Sequence, residues 1–457
     1  MYAVTIWGDR TCHIGGVLNM LSLIGLFTII VIVALLMSGR VTPIVALVTV
    51  PIIGAFIAGF NFIEIGSFFN SGIQSVMSVV VMFIFAILFF GIMQDAGVFD
   101  PLINQMIKLS RGNVVLVAVA TVVIAAVAHL DGSGASTFLI TIPALLPLYR
   151  KLNMNPYLLL LLVGTSASIM NMVPWAGPLG RTATVLDVDV SALWKDLLPV
   201  QLIGLTLLIV VSILLGMREK KLIEKRKLKG EVLVFEELSD SPLDGKVDQS
   251  LARPKLIWVN ALLAVGVIGL LVWGEVPAGF VFMIGLSIAL PLNYPKVEDQ
   301  MARIKEHAPN ALLMGSIILA AGSFLGILNG TEMLDSIAKD LIKVLPAFII
   351  PYLHLIIGFF GVPFDLLLST DAYYFALLPI VDQVVTTFGI PSLSAAYAMI
   401  IGNIIGTFVS PFSPALWLAL GLAGLEMGKH IRYSFLFMWA FSIVLLLIAV
   451  VIGVVAI

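Results

Sequence analysis

Long apolar runs separated by short polar breaks fill nearly the whole chain, and each run is close to the length of a bilayer crossing, about 20 residues. In the first part they predict spans at roughly 20–37, 42–60, 75–94 and 112–129, then at 157–173 and 197–216. The pattern restarts near 256–273 and 276–293, and continues at 310–328, 347–361, 393–410 and 433–456. Counted this way, the chain has about 10–12 spans of bilayer length. Two stretches have helical amphipathic spacing instead. Residues 98–110 set Val98, Phe99, Leu102, Ile103, Met106 and Ile107 against Asp100, Asn104, Gln105 and Lys108, the mark of a helix lying along the interface. Residues 295–309 carry Lys296, Glu298, Asp299, Arg303, Lys305 and Glu306, and a polar-marked segment follows the next span at 331–345.

Two regions break the apolar pattern with residues that hydrocarbon does not tolerate. The first, 129–181, carries His129, Asp131, Gly132, Gly134, Pro143, Pro147, Gly164, Pro174, Gly177, Pro178, Gly180 and Arg181. The second is Pro-Phe-Asp-Leu-Leu-Leu-Ser-Thr-Asp-Ala-Tyr-Tyr, within 363–380, followed by a break at Ser410–Pro414. An unpaired polar group in lipid costs several kcal/mol, so irregular backbone at membrane depth occurs only inside protein or along a water-filled cavity. The pattern predicts re-entrant hairpins at about 131–149 and 363–380 and broken helices at about 157–178 and 393–417.

The two halves repeat this order. Gly91-Ile92 matches Gly326-Ile327, Asp100 matches Asp335, and Ile107-Lys108 matches Ile342-Lys343, all at an offset of 235 residues. Farther on, Asp131, Ser136-Thr137 and Pro147 correspond to Asp365, Ser369-Thr370 and Pro379, and Asn171–Pro178 corresponds to Thr407–Pro414. Interrupted segments at equivalent places in two halves mark the midplane site of many transporters. The division expected is a first repeat at 20–216, a linker at 217–255 and a second repeat at 256–457, with inverted repeats if each unit crosses an odd number of times. The linker carries Arg218, Lys220, Lys221, Lys225, Arg226, Lys227 and Lys229. It reads as a cytoplasmic loop under the positive-inside rule, with a lipid-binding or regulatory patch as the alternative.

Composition sharpens the class. Of 457 residues, 60% are hydrophobic and 11% charged, where a soluble protein carries about 25% charged residues, so the fold class is an all-α polytopic membrane protein. The net charge of −2 points to no nucleic-acid partner. One cysteine, Cys12, excludes a disulfide framework, and the five histidines show no His-x-x-x-His spacing. Residues 1–19 are more polar, with Asp9, Arg10 and His13, and lack the basic start and cleavage site of a signal peptide. They read as an extension without an assigned function.

The polar groups in the broken regions suggest chemistry. Ser136-Thr137 and Ser369-Thr370 at hairpin tips combine hydroxyls with exposed helix N–H groups that bind carboxylate oxygens; the alternative is bonding back to the helix backbone. Asn171, Pro174, Gly177, Asn403, Thr407, Ser410 and Ser413 surround unwound helix, whose freed carbonyls and side-chain oxygens suit a hard cation or a hydroxy acid. Asp131, Asp365 and Asp371 are intramembrane acids of the kind that line proton paths. His129 joins them as a proton group or serves as a hydrogen-bonded structural residue. Arg181 either holds a substrate carboxylate through its planar fork or anchors a helix end.

These segments, above all His-Leu-Asp-Gly-Ser-Gly-Ala-Ser-Thr-Phe-Leu (129–139), Asn-Met-Val-Pro-Trp-Ala-Gly-Pro (171–178) and Phe-Asp-Leu-Leu-Leu-Ser-Thr-Asp-Ala-Tyr-Tyr-Phe (364–375), resemble the citrate–metal–proton symporter family, within the ion transporter superfamily. The resemblance runs from about residue 20 to the end. It implies uptake of citrate complexed with Mg²⁺ or Ca²⁺ in symport with protons. It also implies an elevator-type homodimer in a bacterial cell membrane, with no cofactor beyond the metal in the transported complex. The related sodium–dicarboxylate carriers carry Ser-Asn-Thr at both tips. Here the tips read Ala-Ser-Thr and Leu-Ser-Thr, and acids stand beside each, which fits proton coupling better than sodium. The competing readings are a proton- or sodium-coupled carrier of a plain di- or tricarboxylate, a passive channel, and an intramembrane aspartyl protease built on Asp131 and Asp365. The protease would require two carboxylates sharing a proton.

Overall fold

The structure, a computed structural model, describes residues 13–14, 18–38, 40–101, 105–106, 108, 112–228, 251–273 and 275–457. Cys12, Lys229, the rest of the linker to 250, and Leu102, Ile103, Asn104 and Ile107 of the first amphipathic stretch lie outside the described residues. A two-residue antiparallel strand pair, β1 (His13–Ile14) and β2 (Leu18–Asn19), precedes the helices. The first half then contains α1 (Met20–Ser38), α2 (Pro43–Ile57), α3 (Phe62–Asp95), α4 (Val114–Ala128), α5 (Gly134–Lys151), α6 (Pro156–Met170), α7 (Gly177–Leu186) and α8 (Val190–Leu228). The second half contains α9 (Ile257–Trp273), α10 (Ala278–Asn293), α11 (Val297–Gly330), α12 (Met333–Val344), α13 (Leu353–Phe359) and α14 (Gly361–Asp365). A π-helical segment (Ala372–Leu377) leads to α15 (Leu378–Thr386), α16 (Ser392–Ile404), α17 (Pro414–Ala423) and α18 (Met427–Val451).

Local sequence explains the ends of these elements. Asn61 caps α3 by accepting from the N–H groups of Ile63 (2.9 Å) and Glu64 (3.0 Å), while Glu64 accepts from the Asn61 N–H at 2.8 Å, a reciprocal capping box. Asn113 and Asn155 cap α4 and α6 in the same way through their side-chain oxygens. Proline opens helices here as often as it interrupts them. Pro43, Pro156, Pro178 and Pro414 occupy the first turns of α2, α6, α7 and α17, where the missing N–H would have no partner in any case.

Six helical stretches among the described residues are long and apolar enough to cross a membrane: 62–95, 114–131, 190–228, 254–273, 297–330 and 427–451. Shorter apolar helices supply the rest. Two of the long ones correct the sequence reading. From Val297 on, the amphipathic stretch and the span 310–328 are one helix, α11. The predicted span 197–216 runs from Val190 to Leu228, so Arg218, Lys220, Lys221, Lys225, Arg226 and Lys227 lie on helix and not in a loop. Lys, Arg and Glu are good helix formers, and cations favour a helix C-terminus, so this extension continues the helix at little cost. Arg226 fixes it in place, pairing with Glu219 at 2.7 Å and donating to the Asn153 carbonyl at 3.0 Å.

The halves pack reciprocally. α3 and α11 are each 34 residues long, start 235 residues apart and form the central pair, drawn together at Gly72, Gly322 and Gly326. A Cβ on Gly326 would stand 2.8 Å from the Gly72 Cα, so small residues permit this approach. α2 packs on α11 as α10 packs on α3, and α4 packs on α6 as α13 packs on α16. Across the halves, α5 packs on α17, and the π-helical segment packs on α7.

Candidate functional site: the hairpin tips and helix breaks

Each polar region proves to be the turn of a helical hairpin and not a hairpin in itself. α4 ends at Ala128, the chain turns through His129–Ser133, and α5 returns against α4. Gly132 makes the turn possible by adopting φ +72° with Trp175 packed against it. The expected spans 112–129 and 347–361 are therefore the outgoing arms. The second hairpin runs out through α13 and α14, turns at 366–371, and returns through the π-helical segment and α15. Ser136-Thr137 lies within the first turn of the returning helix, one residue group beyond the tip.

The breaks fall at Asn171–Ala176, between α6 and α7, and at 405–413, between α16 and α17. The first break is tied to the first tip. His129 is fully buried, with Nδ1 2.7 Å from the Thr137 hydroxyl and Nε2 2.8 Å from the Asn171 side-chain amide oxygen. Thr137 donates to the Ser133 carbonyl (2.8 Å), and the Trp175 indole N–H donates to the Leu130 carbonyl (2.7 Å). Both ring nitrogens of His129 are thus engaged, so hairpin and break form one rigid unit. The second break touches the same tip: Phe408 packs edge-on against His129 and Phe138.

Asp131 and Ser136 reach a different space. Asp131 accepts from the Ser133 N–H at 2.8 Å, and both line a cavity of about 250 Å³ with Ser136, Trp175 and Gly177 on one side. The facing wall comes from α3 and α11 and includes Gln94, His307 and Asn310, none of which the sequence reading singled out. Arg181 stands behind Gly177, with its Nη1 against the position a Gly177 Cβ would take. Its Nε donates to the Asp371 carboxylate at 2.7 Å, and its guanidinium lies 5.9 Å from the Phe375 ring. One residue singled out for substrate and one singled out for protons are therefore partners, joining α7 to the second tip.

In the second half, Asp365 is 1% exposed, and its Oδ2 has no hydrogen-bond partner. Asn403 lies against it, donating to the Gly361 carbonyl at 3.3 Å, while its own Oδ1 is unpartnered. Ser410 donates to the Asp365 carbonyl oxygen at 2.5 Å. Ser369 accepts from the Ala372 N–H at 3.2 Å, and Thr407 donates back to the Ile404 carbonyl at 2.8 Å. Thr370 is half-buried at the tip, Ser413 stands at the start of α17 without a side-chain cap, and Pro174 is buried in the first break. Among the described residues, no three His, Cys, Asp or Glu side chains gather as a metal site.

Helical hairpins meeting at broken helices, inside a bundle with six bilayer-length helices, define a multi-pass membrane transporter. Two solved transporters share the fold: YdaH of Alcanivorax borkumensis (TM-score 0.62, 13% identity, covering 95% of this chain and 98% of that one) and MtrF of Neisseria gonorrhoeae (TM-score 0.56, 14% identity, covering 95% of each). The chain belongs to the citrate transporter family, whose model matches residues 17–402. It is 35% identical over 437 residues to a citrate transporter of Bacillus subtilis, and 37% identical over 438 residues to a Mg²⁺/citrate complex secondary transporter of that organism. Each match covers 96% of this chain and the whole of the relative. These relatives and neighbours are transporters, not enzymes, which sets aside the aspartyl-protease reading, and they are bacterial, which places the chain as a multi-pass protein of the cell membrane.

Proposed function

We propose that the protein takes up citrate as its complex with Mg²⁺ or Ca²⁺ in symport with protons. The observation that carries the reading is the carboxylate of Asp131 in a cavity that would hold a polyanion. Free citrate carries three negative charges near neutrality, and an acid facing it opposes binding. One divalent ion reduces the complex to a single negative charge. It also keeps waters in its coordination shell, whose hydrogens a carboxylate and serine hydroxyls accept. Asp131, Ser133 and Ser136 then meet the hydrated metal face, and Arg181 behind Gly177 meets a citrate carboxylate. Ser369, Thr370, Asn171, Pro174, Asn403, Thr407, Ser410 and Ser413, at the second tip and the two breaks, are proposed to join the binding site during the transport cycle.

Proton coupling is assigned to the acids. Arg181 cannot serve a substrate carboxylate fully while Asp371 holds it. Protonation of Asp371 releases the guanidinium for substrate, and departure of substrate returns it, which ties the two movements stoichiometrically. Asp365, buried without a counterion, is the second proton carrier. The repeat of element order and the reciprocal packing support two related halves; inverted repeats, an elevator-type movement and a homodimer are what the family resemblance adds to the proposal. The test is citrate uptake by proteoliposomes under an imposed inward proton gradient, with Mg²⁺, with Ca²⁺ and with chelator. The expected result is uptake that needs both metal and gradient. Chelator-resistant uptake would replace the metal complex with a free tricarboxylate, and dependence on sodium would replace the proton.

A further inference from the structure

The repeat contains its own control for one cluster of charges. α3 and α11 cross so that position 91 of one meets position 307 of the other, and position 326 meets position 72. These pairs are equivalent, since 326 − 91 = 235 and 307 − 72 = 235, the offset between the helices. At one end of the crossing the residues are Phe68, Gly72, Gly326 and Gly330, an apolar contact in which the Phe68 ring lies against Gly330. At the equivalent end they are Arg303, His307, Gly91 and Asp95. The architecture therefore closes this crossing without charge, and the charged end needs another reason.

That end faces the cavity opposite Asp131. His307 places its ring over Gly91, and its Nε2 lies 2.8 Å from Asp95 Oδ2, which Arg303 also approaches at 3.5 Å. Nε2 is thereby engaged, while Nδ1 has no hydrogen-bond partner among the described residues, and the ring is part of the cavity wall. Asp95 on Nε2 orients the ring and leaves Nδ1 for a second partner, and an imidazolium, which donates from both nitrogens, is the form that can meet two carboxylates. We propose that His307, held by Asp95, is a substrate-recognising residue that donates from Nδ1 to a carboxylate of the transported complex, on the wall facing the first hairpin tip. This rests on the citrate reading. The complex is then bound between an oxygen-rich wall suited to hydrated metal and a cationic wall suited to carboxylate.

The test uses the full chain in proteoliposomes, with two variants. His307→Gln removes the charged donor. His307→Gly copies the residue that already closes the equivalent end of the crossing, so a packing role is preserved by precedent within the same molecule. Metal-dependent citrate uptake is measured as KM and Vmax. Loss of one charge-assisted hydrogen bond should raise KM about tenfold or more in both variants, with Vmax within about twofold of the wild type. An unchanged KM, or a loss of Vmax at unchanged KM, would overturn the assignment while leaving the citrate reading intact. Failure of the wild-type chain to take up citrate under every metal condition would sink both.

Discussion

Replacing Asp371 by Asn removes the charge that neutralises Arg181 while nearly keeping its shape. The two side chains are 11% and 12% exposed, so the ion pair is almost wholly out of water, and its Nε–Oδ1 contact is 2.7 Å. Breaking a buried pair by removing one partner costs about 3–5 kcal/mol, because the remaining charge keeps its desolvation penalty and loses its partner. Contact with the Phe375 ring, 5.9 Å from the guanidinium, recovers only about 0.5–2 kcal/mol and is already present in the wild type. The Asp371→Asn protein in detergent should therefore unfold at a midpoint lower by about 3–5 °C. Replacing both partners with apolar residues of similar size, Arg181→Met with Asp371→Leu, should restore or exceed wild-type stability, since buried pairs often lose to hydrophobic isosteres by about 1–4 kcal/mol.

Transport separates the roles. If the pair is only structural, the stable double variant takes up citrate. On the coupling proposed above, it is as inactive as the single variant despite its recovered stability. The measurements are thermal unfolding and proteoliposome uptake on the same preparations, arranged as a double-mutant cycle. An Asp371→Asn protein as stable as the wild type would refute the ion-pair energetics, and an active double variant would refute the exchange of Arg181 between Asp371 and substrate.

Thr137→Val cuts His129 from the returning helix and leaves Nδ1 without its partner; it should destabilise the protein by about 1–3 kcal/mol, read from chemical unfolding, and unchanged stability would show that the His129 network contributes little. Gly177→Ala places a methyl group on the Arg181 Nη1, between guanidinium and cavity; KM for citrate should rise at least about tenfold if Arg181 contributes a charge-assisted bond there, and normal uptake would remove Arg181 from the substrate. Asp365→Asn should fold normally, because no protein donor is lost from Oδ2, yet lose uptake driven by a pH gradient. Retained gradient-driven uptake would exclude Asp365 as a proton carrier.

Much of the architecture was legible because hydrocarbon tolerates so few alternatives. Apolar runs located most helices, and the polar stretches at 129–137 and 364–371 located both tips, since acids have few other low-cost places in a bilayer. What failed followed from physics that acts beyond the local pattern. The pattern places the hairpins on the returning segments alone, because the apolar composition of the outgoing arms does not distinguish them from separate spans. The charged residues 217–227 looked like a loop, although Lys, Arg and Glu extend a helix readily once packing starts it. His307 was invisible as a site residue for the same reason: it lies in a charged helical stretch, and only the register of α3 against α11 brings it to the cavity. Even so, the offset of 235 was in hand, and a comparison of Arg303 and His307 with Phe68 and Gly72 would have marked them.

The two halves are alike in backbone and unlike in what their breaks contain, and this bears on where coupling resides. In the first half His129 fills the space between tip and break, with Thr137 on one ring nitrogen and Asn171 on the other. Its partners are complete, and exchange of a proton there would cost at least one of two buried hydrogen bonds. In the second half the equivalent space contains Asp365 and Asn403, with Asp365 Oδ2, Asn403 Oδ1 and the nearby Tyr374 hydroxyl all buried without partners. Each unsatisfied group costs about 1–3 kcal/mol, and a proton on Asp365 supplies a donor that the Asn403 amide oxygen lacks. A carrier must load and unload its coupling ion in every cycle, which the second arrangement allows and the first resists. On these grounds the proposed coupling is better supported at the second tip, through Asp365 and Asp371. On the same proposal the first tip, open to the cavity through Asp131, would serve the metal complex.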